Sequence, residues 1–384
     1  MKKKTLRIVF SVVLLTLFLI PAASAGALPS YSQTHVAVDF AAANDRYEQR
    51  YFDGCGRALD GTDGAPDLCI PGLTEPDDMV PQGIAYYPEK DQMLISAYSK
   101  RDEGSVIFAL DMTDGHLAAE YHVIRQSGGA AAAHFGGIAV SDHNLYIADY
   151  GSTISYAPLT ALNAEDGARA ELTLAGTVDL SAFMNGANTS YVGCGGGLLW
   201  TGNFYDALDK NYQTKAAEDC GTALFCFALA GEDSASEWAG LRDGAPRYTL
   251  RVPSSINKVQ GAYLLGDTAF LSTSATRNLP GTLVTARVDY ENGRILTQGL
   301  RRTRTLPMAE DVEVADGVLY TLAENGAWYY RGGDGKAPAR LTTDTVWSVD
   351  LARLEAAQAN PVTALLHRLT GFFLHVIDLL KALF

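Results

Sequence analysis

Basic residues are scarce in this chain. The 30 Lys and Arg face 44 Asp and Glu, which sets the formal charge at −14. A surface that acidic repels phosphate backbones, so nucleic acid is excluded as a partner. Cysteine is sparse as well, and the odd count of five leaves one thiol unpaired or pairing between chains. No Gly-x-Ser-x-Gly, His-Glu-x-x-His or phosphate-cradling glycine loop is present. Their absence removes the elbow-type hydrolases, the zincins and the P-loop nucleotidases.

The first 25 residues have the form of a secretory signal, which predicts a secreted or extracytoplasmic protein. Lys2, Lys3, Lys4 and Arg7 precede an apolar stretch from Ile8 to Ile20, and Ala23-Ser24-Ala25 is a small-residue cleavage site. The apolar stretch is too short to span a bilayer. Cleavage removes four positive charges and takes the formal charge from −14 to −18. In an exported chain, Cys55 and Cys69 bracket a turn-rich loop that a disulfide would close. Cys194, Cys220 and Cys226 leave room for one further bridge of open identity.

A short phrase recurs along the rest. It reads Gln82-Gly-Ile-Ala-Tyr, Gly136-Gly-Ile-Ala-Val, Ser190-Tyr-Val-Gly, Gln260-Gly-Ala-Tyr and Glu310-Asp-Val-Glu-Val, with spacings of 54, 54, 70 and 50 residues. Each phrase is followed by a second apolar run: Leu94-Ile-Ser-Ala-Tyr, Leu145-Tyr-Ile-Ala-Asp, Leu199-Trp-Thr-Gly-Asn, Phe270-Leu-Ser-Thr-Ser and Leu319-Tyr-Thr-Leu-Ala. A repeat near 50 residues, with several short alternating strands and turn signals such as Thr113-Asp-Gly, predicts β-propeller blades. The expected fold class is therefore all-β: one propeller over 26–352 with five blades, or six if the long third unit hides a second. The fifth unit lacks an outer strand, and an N-terminal closing strand within 31–52, centred on Thr34 to Phe40, is expected to supply it and remove two sheet edges.

The phrases, with Pro81-Gln-Gly-Ile-Ala-Tyr foremost, resemble those of NHL-repeat, gluconolactonase and strictosidine-synthase-like propellers, and of a group of secreted bacterial propellers. The resemblance runs from about Val80 to Leu351. Lactonase-type members hold calcium with Glu, Asn and Asp on their inner strands. The matching positions here are Gln82, Gly136, Ser190, Gln260 and Glu310, so the resemblance does not carry the metal set over.

In a propeller the starts of the inner strands and the loops joining second to third strands open on one face. That geometry gathers Gln82, His134, Lys258, Gln260, Glu310 and Asp311 with Tyr98, Arg101, Asp102, Asp149, Tyr150, Asn203, Tyr205, Arg277, Asn278, Glu324 and Asn325. Hydrogen-bonding and aromatic groups converging on a concavity suit a small molecule or glycan. Gln82, Tyr98, Tyr150, Asn203, Gln260 and Asn325 are the expected ligand contacts. His134 beside Glu310 has the composition of a general base with its orienting carboxylate, and Glu310 with Glu324 that of paired acids. No cofactor is implied, although Asp60, Asp63 and Asp67 space hard oxygen ligands as a calcium loop does.

After a linker over 353–360, Pro361 to Phe384 reads as an amphipathic helix. Leu365, Leu366, Leu369, Phe372, Phe373, Val376, Ile377, Leu380, Leu383 and Phe384 make a wide apolar face, opposed by a narrow stripe with Arg368, His375 and Asp378. Five ionisable groups argue against a membrane span and for lying on a membrane surface or packing on a protein. The expected function is a ligand-binding or protein-interaction module at the cell envelope rather than an enzyme. The alternative is an extracytoplasmic hydrolase or lyase using His134 and Glu310.

Overall fold

A computed structural model describes residues 28–36, 51–101, 104–131, 134–149, 151–209, 221–230, 241–242, 244–274, 276–277, 279–339 and 342–359. The expected signal segment, Tyr150, Cys220 and the tail from 360 onward lie outside the described residues, as does the side chain of Asp63. All the strands belong to one unit, Tyr31–Phe384.

Alternating apolar and small residues pair into four-stranded antiparallel blades. Blade 1 comprises β2 (Met79–Tyr87), β3 (Gln92–Ser99), β4 (Ser105–Asp111) and β5 (Leu117–Ile124). Blade 2 comprises β6 (Ile138–Val140), β7 (Asn144–Asp149), β8 (Thr153–Pro158) and β10 (Gly176–Asp179), while β9 (Ala168–Thr173) crosses back to lie parallel on β5. Blade 3 is β11 (Tyr191–Gly195), β12 (Leu198–Gly202), β13 (Ala223–Ala228) and β14 (Tyr248–Arg251). Blade 4 is β15 (Val259–Leu265), β16 (Thr268–Thr273), β17 (Gly281–Asp289) and β19 (Arg301–Thr305). The short β18 (Arg294–Ile295) pairs with β17 and touches β14 through Arg251, joining blades 3 and 4.

Blade 5 contains β20 (Ala309–Ala315), β21 (Val318–Ala323) and β22 (Trp347–Asp350), and its outer strand is β1 (Gly56–Ala58). The inner strands touch in the cyclic order β2, β6, β11, β15, β20 and back to β2, so the sheets close on themselves. Among the described residues the strands make five blades. Between blades the walls are apolar; Trp200 and Trp347 are fully buried, and the Trp200 indole N–H donates to the Ala262 carbonyl of the next blade at 2.7 Å.

Three sequence expectations change here. The closing strand is Gly56–Ala58, whereas Thr34–Val36 carry no strand and 37–50 lie outside the described residues. Residues 31–36 form a strap instead. Its Tyr31 N–H donates to Glu120 in blade 1, and its Val36 N–H donates to Asp344, just before β22, at 2.6 Å. Secondly, Cys55 and Cys69 are both free. Gly56 sits opposite Val349 and Cys69 opposite Thr345 along the same edge. That register parts the two thiols by roughly 16 Å, far beyond disulfide reach. Thirdly, the expected linker begins inside a helix, α1 (Leu351–Ala359), which buries Leu354 against Phe52 and Trp347.

Candidate functional site

The recurring phrase turns out to encode a bulge. In β2 the register shifts between Pro81 and Gly83, in β15 between Val259 and Gly261, and in β20 between Ala309 and Val312. A bulge leaves one residue outside the ladder and re-aims its side chain. The re-aimed residues are Gln82, Gln260 and Glu310, and all three point into one cavity of about 430 Å³ at the channel mouth. Hydroxyls of the second strands brace the inner strands of blades 1, 3 and 5. Ser96 Oγ accepts from Gly83 N–H at 2.8 Å, while Thr201 and Thr321 donate to the Tyr191 and Asp311 carbonyls at 2.7 and 2.8 Å.

Gly136 and Ser190 line the same cavity, so all five inner-strand positions picked from the repeat meet there. His134, Asp149, Glu324, Asn188, Thr189, Phe204 and Tyr330 complete the lining. Glu310 and Glu324 dominate its electrostatics. Gln260 on blade 4 donates to Glu310 at 3.2 Å, and Gln82 on blade 1 donates to Glu324 at 3.0 Å. Burial first, then the neighbouring Glu324 and Asp311, raise the Glu310 pKa well above the ordinary carboxylate range. Burial also raises Glu324, to about 7, against the pull of the Tyr330 hydroxyl, Lys100, the Gln82 amide and Arg277. Two like charges so close in a poorly solvated site favour retention of a proton at neutral pH.

His134 does not partner Glu310. Its ring packs on Tyr98 at 4.2 Å between centroids, and burial together with Lys100 lowers its pKa to about 4. His134 is nonetheless exposed at the cavity that Glu310 also lines. Tyr98 stays close, buried beneath Lys100 and His134. Asn203 and Asn325 are fully buried clamps rather than cavity residues. Asn203 donates to the Gly221 carbonyl and accepts from Ala223 N–H; Asn325 donates to Pro307 and accepts from the Thr343 N–H and hydroxyl. Tyr150 lies outside the described residues.

Asp149 is locked in place, held by both terminal Arg125 guanidinium nitrogens at 3.0 and 3.1 Å and by Ser155 at 2.6 Å. Arg277, expected at the mouth, pairs with Asp334 and packs over Tyr330. Lys258 pairs with Asp206 at 3.1 Å, and Arg101 bonds the Glu75 carbonyl. Sequence reasoning missed Tyr330 and Lys100. Tyr330 belongs to a short helical turn, Trp328–Arg331, inserted between β21 and β22, and the Trp-Tyr-Tyr run there was its signal.

Below the mouth, Asp311 reaches across the channel axis. Its Oδ1 accepts from Val312 N–H at 2.9 Å, and the N–H groups of Ile84 and Ile138 from two other blades favour its charged form, against burial, which keeps its pKa well above the carboxylate range. A Cβ on Gly137 would lie 2.6 Å from Asp311 Oδ2, and one on Gly261 would meet Oδ1, so both glycines are required by close approach.

The expected calcium loop splits between separate partners. Asp60 Oδ1 accepts from the Thr62 N–H and hydroxyl, and Asp67 pairs with His35 at 3.2 Å. A different exposed group, Asp111, Asp114 and His116, brings three potential ligand atoms within 4.8 Å of one another. Both His116 nitrogens there already face carboxylates, of Asp114 and Asp166.

No family model matches the sequence, and no curated protein matches it. Solved structures similar to it include hydrazine synthase from Kuenenia stuttgartiensis, 11% identical over 68% of this chain and 58% of that one, with a TM-score of 0.32. They also include the Dos1 propeller, 8% identical over 65% of this chain and 54% of that one, TM-score 0.32. The RS223 β-xylosidase is 10% identical over 77% of this chain and 94% of that one, TM-score 0.41. The chain thus spans little more than half the length of the first two. Fold analogy does not carry activity, and the chemistry of this site rests on its own residues.

Proposed function

We propose that this protein is an extracytoplasmic β-propeller that binds a small polar ligand, or one unit of a glycan, at the channel mouth, held near the envelope by its C-terminal segment. One observation carries the reading: five inner-strand positions converge on a single cavity, and its two central carboxyls are each bonded by a glutamine of a neighbouring blade. Amides, a proton-bearing carboxyl pair and a neutral imidazole offer both donors and acceptors, as hydroxyl- or amine-rich ligands require. The test is a thermal-shift and calorimetric screen of sugars, lactones and divalent ions against the wild type. Each hit is then measured again on Gln82→Ala and Gln260→Ala. A loss of about tenfold or more in affinity is expected for each variant. Ligands that bind all three proteins alike place the site elsewhere.

A second reading is favoured by the Glu310–Glu324 pair itself. Glu310, the more deeply buried of the two, is the proton carrier, and Glu324, with its pKa raised to about 7, is the carboxylate. That division suits acid–base hydrolysis of a glycoside or lactone and replaces the role expected of His134. Under this reading Glu310→Gln lowers turnover by about 10²–10⁴-fold and leaves binding largely intact. Wild-type protein that binds a hit but never turns it over rules the second reading out.

A further inference from the structure

We infer that the mouth face is the face this protein turns toward a lipid bilayer, an orientation that rests on the proposed envelope attachment. Helix α1 fixes where the chain leaves the fold. It starts after Asp350, which pairs with Val318 at the end of blade 5 away from the mouth. Near its other end the Gln358 side chain donates to Thr303 Oγ1 at 2.7 Å. Thr303 lies opposite Leu283, Leu283 opposite Ser272, and Ser272 opposite Gly261, the residue after Gln260 in the cavity wall. The helix therefore climbs the outer wall by roughly 13 Å and delivers the chain at the level of the mouth. Beyond α1 the sequence continues into 361–384, whose residues are largely apolar.

The rim at that height has matching chemistry. Leu208, 85% exposed, and Leu279, 56% exposed, stand on mouth-side loops of blades 3 and 4. Trp328 and Tyr329 are partly exposed on the inserted turn of blade 5, with Arg331 against Trp328 and Lys100 against Tyr329. Exposed leucines beside tryptophan, tyrosine and snorkelling cations are the composition of a surface that rests at a membrane interface. A chain carrying a formal charge of −14 would be repelled by anionic lipid, so the partner is a zwitterionic surface.

The opposite face supplies a control, because Leu265 in the β15–β16 turn is 48% exposed there. The experiment is flotation with phosphatidylcholine vesicles, using a chain that starts at Gly26 so that the leader contributes nothing. Expected results are strong flotation of this chain, loss of flotation when it ends at Ala359, and a partition coefficient about tenfold lower for Leu208→Ser/Leu279→Ser. Leu265→Ser leaves partitioning unchanged. The orientation is overturned if the double variant partitions like the parent, or if Leu265→Ser costs as much. Flotation that survives truncation at Ala359 sinks the attachment reading instead, and a full chain that stays in the pellet sinks both.

Discussion

At the residue scale the molecule concentrates buried acid along one strand. Glu310, Asp311 and Glu313 follow each other down β20, with burial raising all three pKa values, and Glu324 is raised to about 7. A raised folded pKa means that the fold holds protons the unfolded chain releases. The stability these groups contribute is fully present below their ordinary values of 3.8 and 4.5 and is lost as pH rises through the folded values. Thermal unfolding followed by calorimetry should therefore give a higher Tm at pH 5 than at pH 8. Each carboxyl still protonated in the fold steepens the decline by about 1.4 kcal/mol per pH unit. Glu324→Gln should flatten the slope between pH 5 and 7; an unchanged slope would show that Glu324 titrates normally. Asp311→Leu forces a branched side chain against Gly137 and Gly261 and discards the acceptor for Val312 N–H. About 2–4 kcal/mol of destabilisation is expected in urea unfolding.

Elements decide whether those residues meet. The first and second strands of the blades were legible because alternation and turn residues are local signals: Gln82-Gly-Ile-Ala-Tyr and Leu94-Ile-Ser-Ala-Tyr fall in β2 and β3, and Gln260-Gly-Ala-Tyr and Phe270-Leu-Ser-Thr in β15 and β16. The convergence of Gln82, Gly136, Ser190, Gln260 and Glu310 followed from the repeat for the same reason. Ser96 and Thr321, at one position of the second phrase, stand beside two of the bulges, but a hydroxyl in a strand has no meaning until its partner is known. Long-range choices were not legible. Gly56-Arg-Ala58 is too short to show periodicity, and nothing local distinguishes a buried asparagine clamp such as Asn325 from a ligand contact. A side chain on Gly56 would enter the buried Phe52 ring, so Gly56→Val should lower stability by about 1–3 kcal/mol in urea unfolding. In the strap, Asp344 with help from Cys69 raises the His35 pKa to about 11, so the stability from its charge is fully present below 6.5 and lost as pH rises through 11. His35→Ala should speed hydrogen exchange at Gly72, whose N–H donates to the Ser32 carbonyl, while leaving exchange within blade 3 unchanged.

For the whole molecule, no helix among the described residues is long and apolar enough to cross a membrane. The cavity and the C-terminal end of α1 lie at the same end of the blades. The ring itself is tied twice, by the three residue pairs of β1 with β22 and by the strap from Glu120 to Asp344. Both ties join residues far apart along the chain. Gly56 and Val349 stand at the same end of the antiparallel β1–β22 ladder, so force applied between Tyr51 and Ala359 would unzip its three pairs one at a time, starting from Gly56–Val349. Pulled by those handles, the toroid should open first at this clasp under low force, and give way blade by blade afterwards.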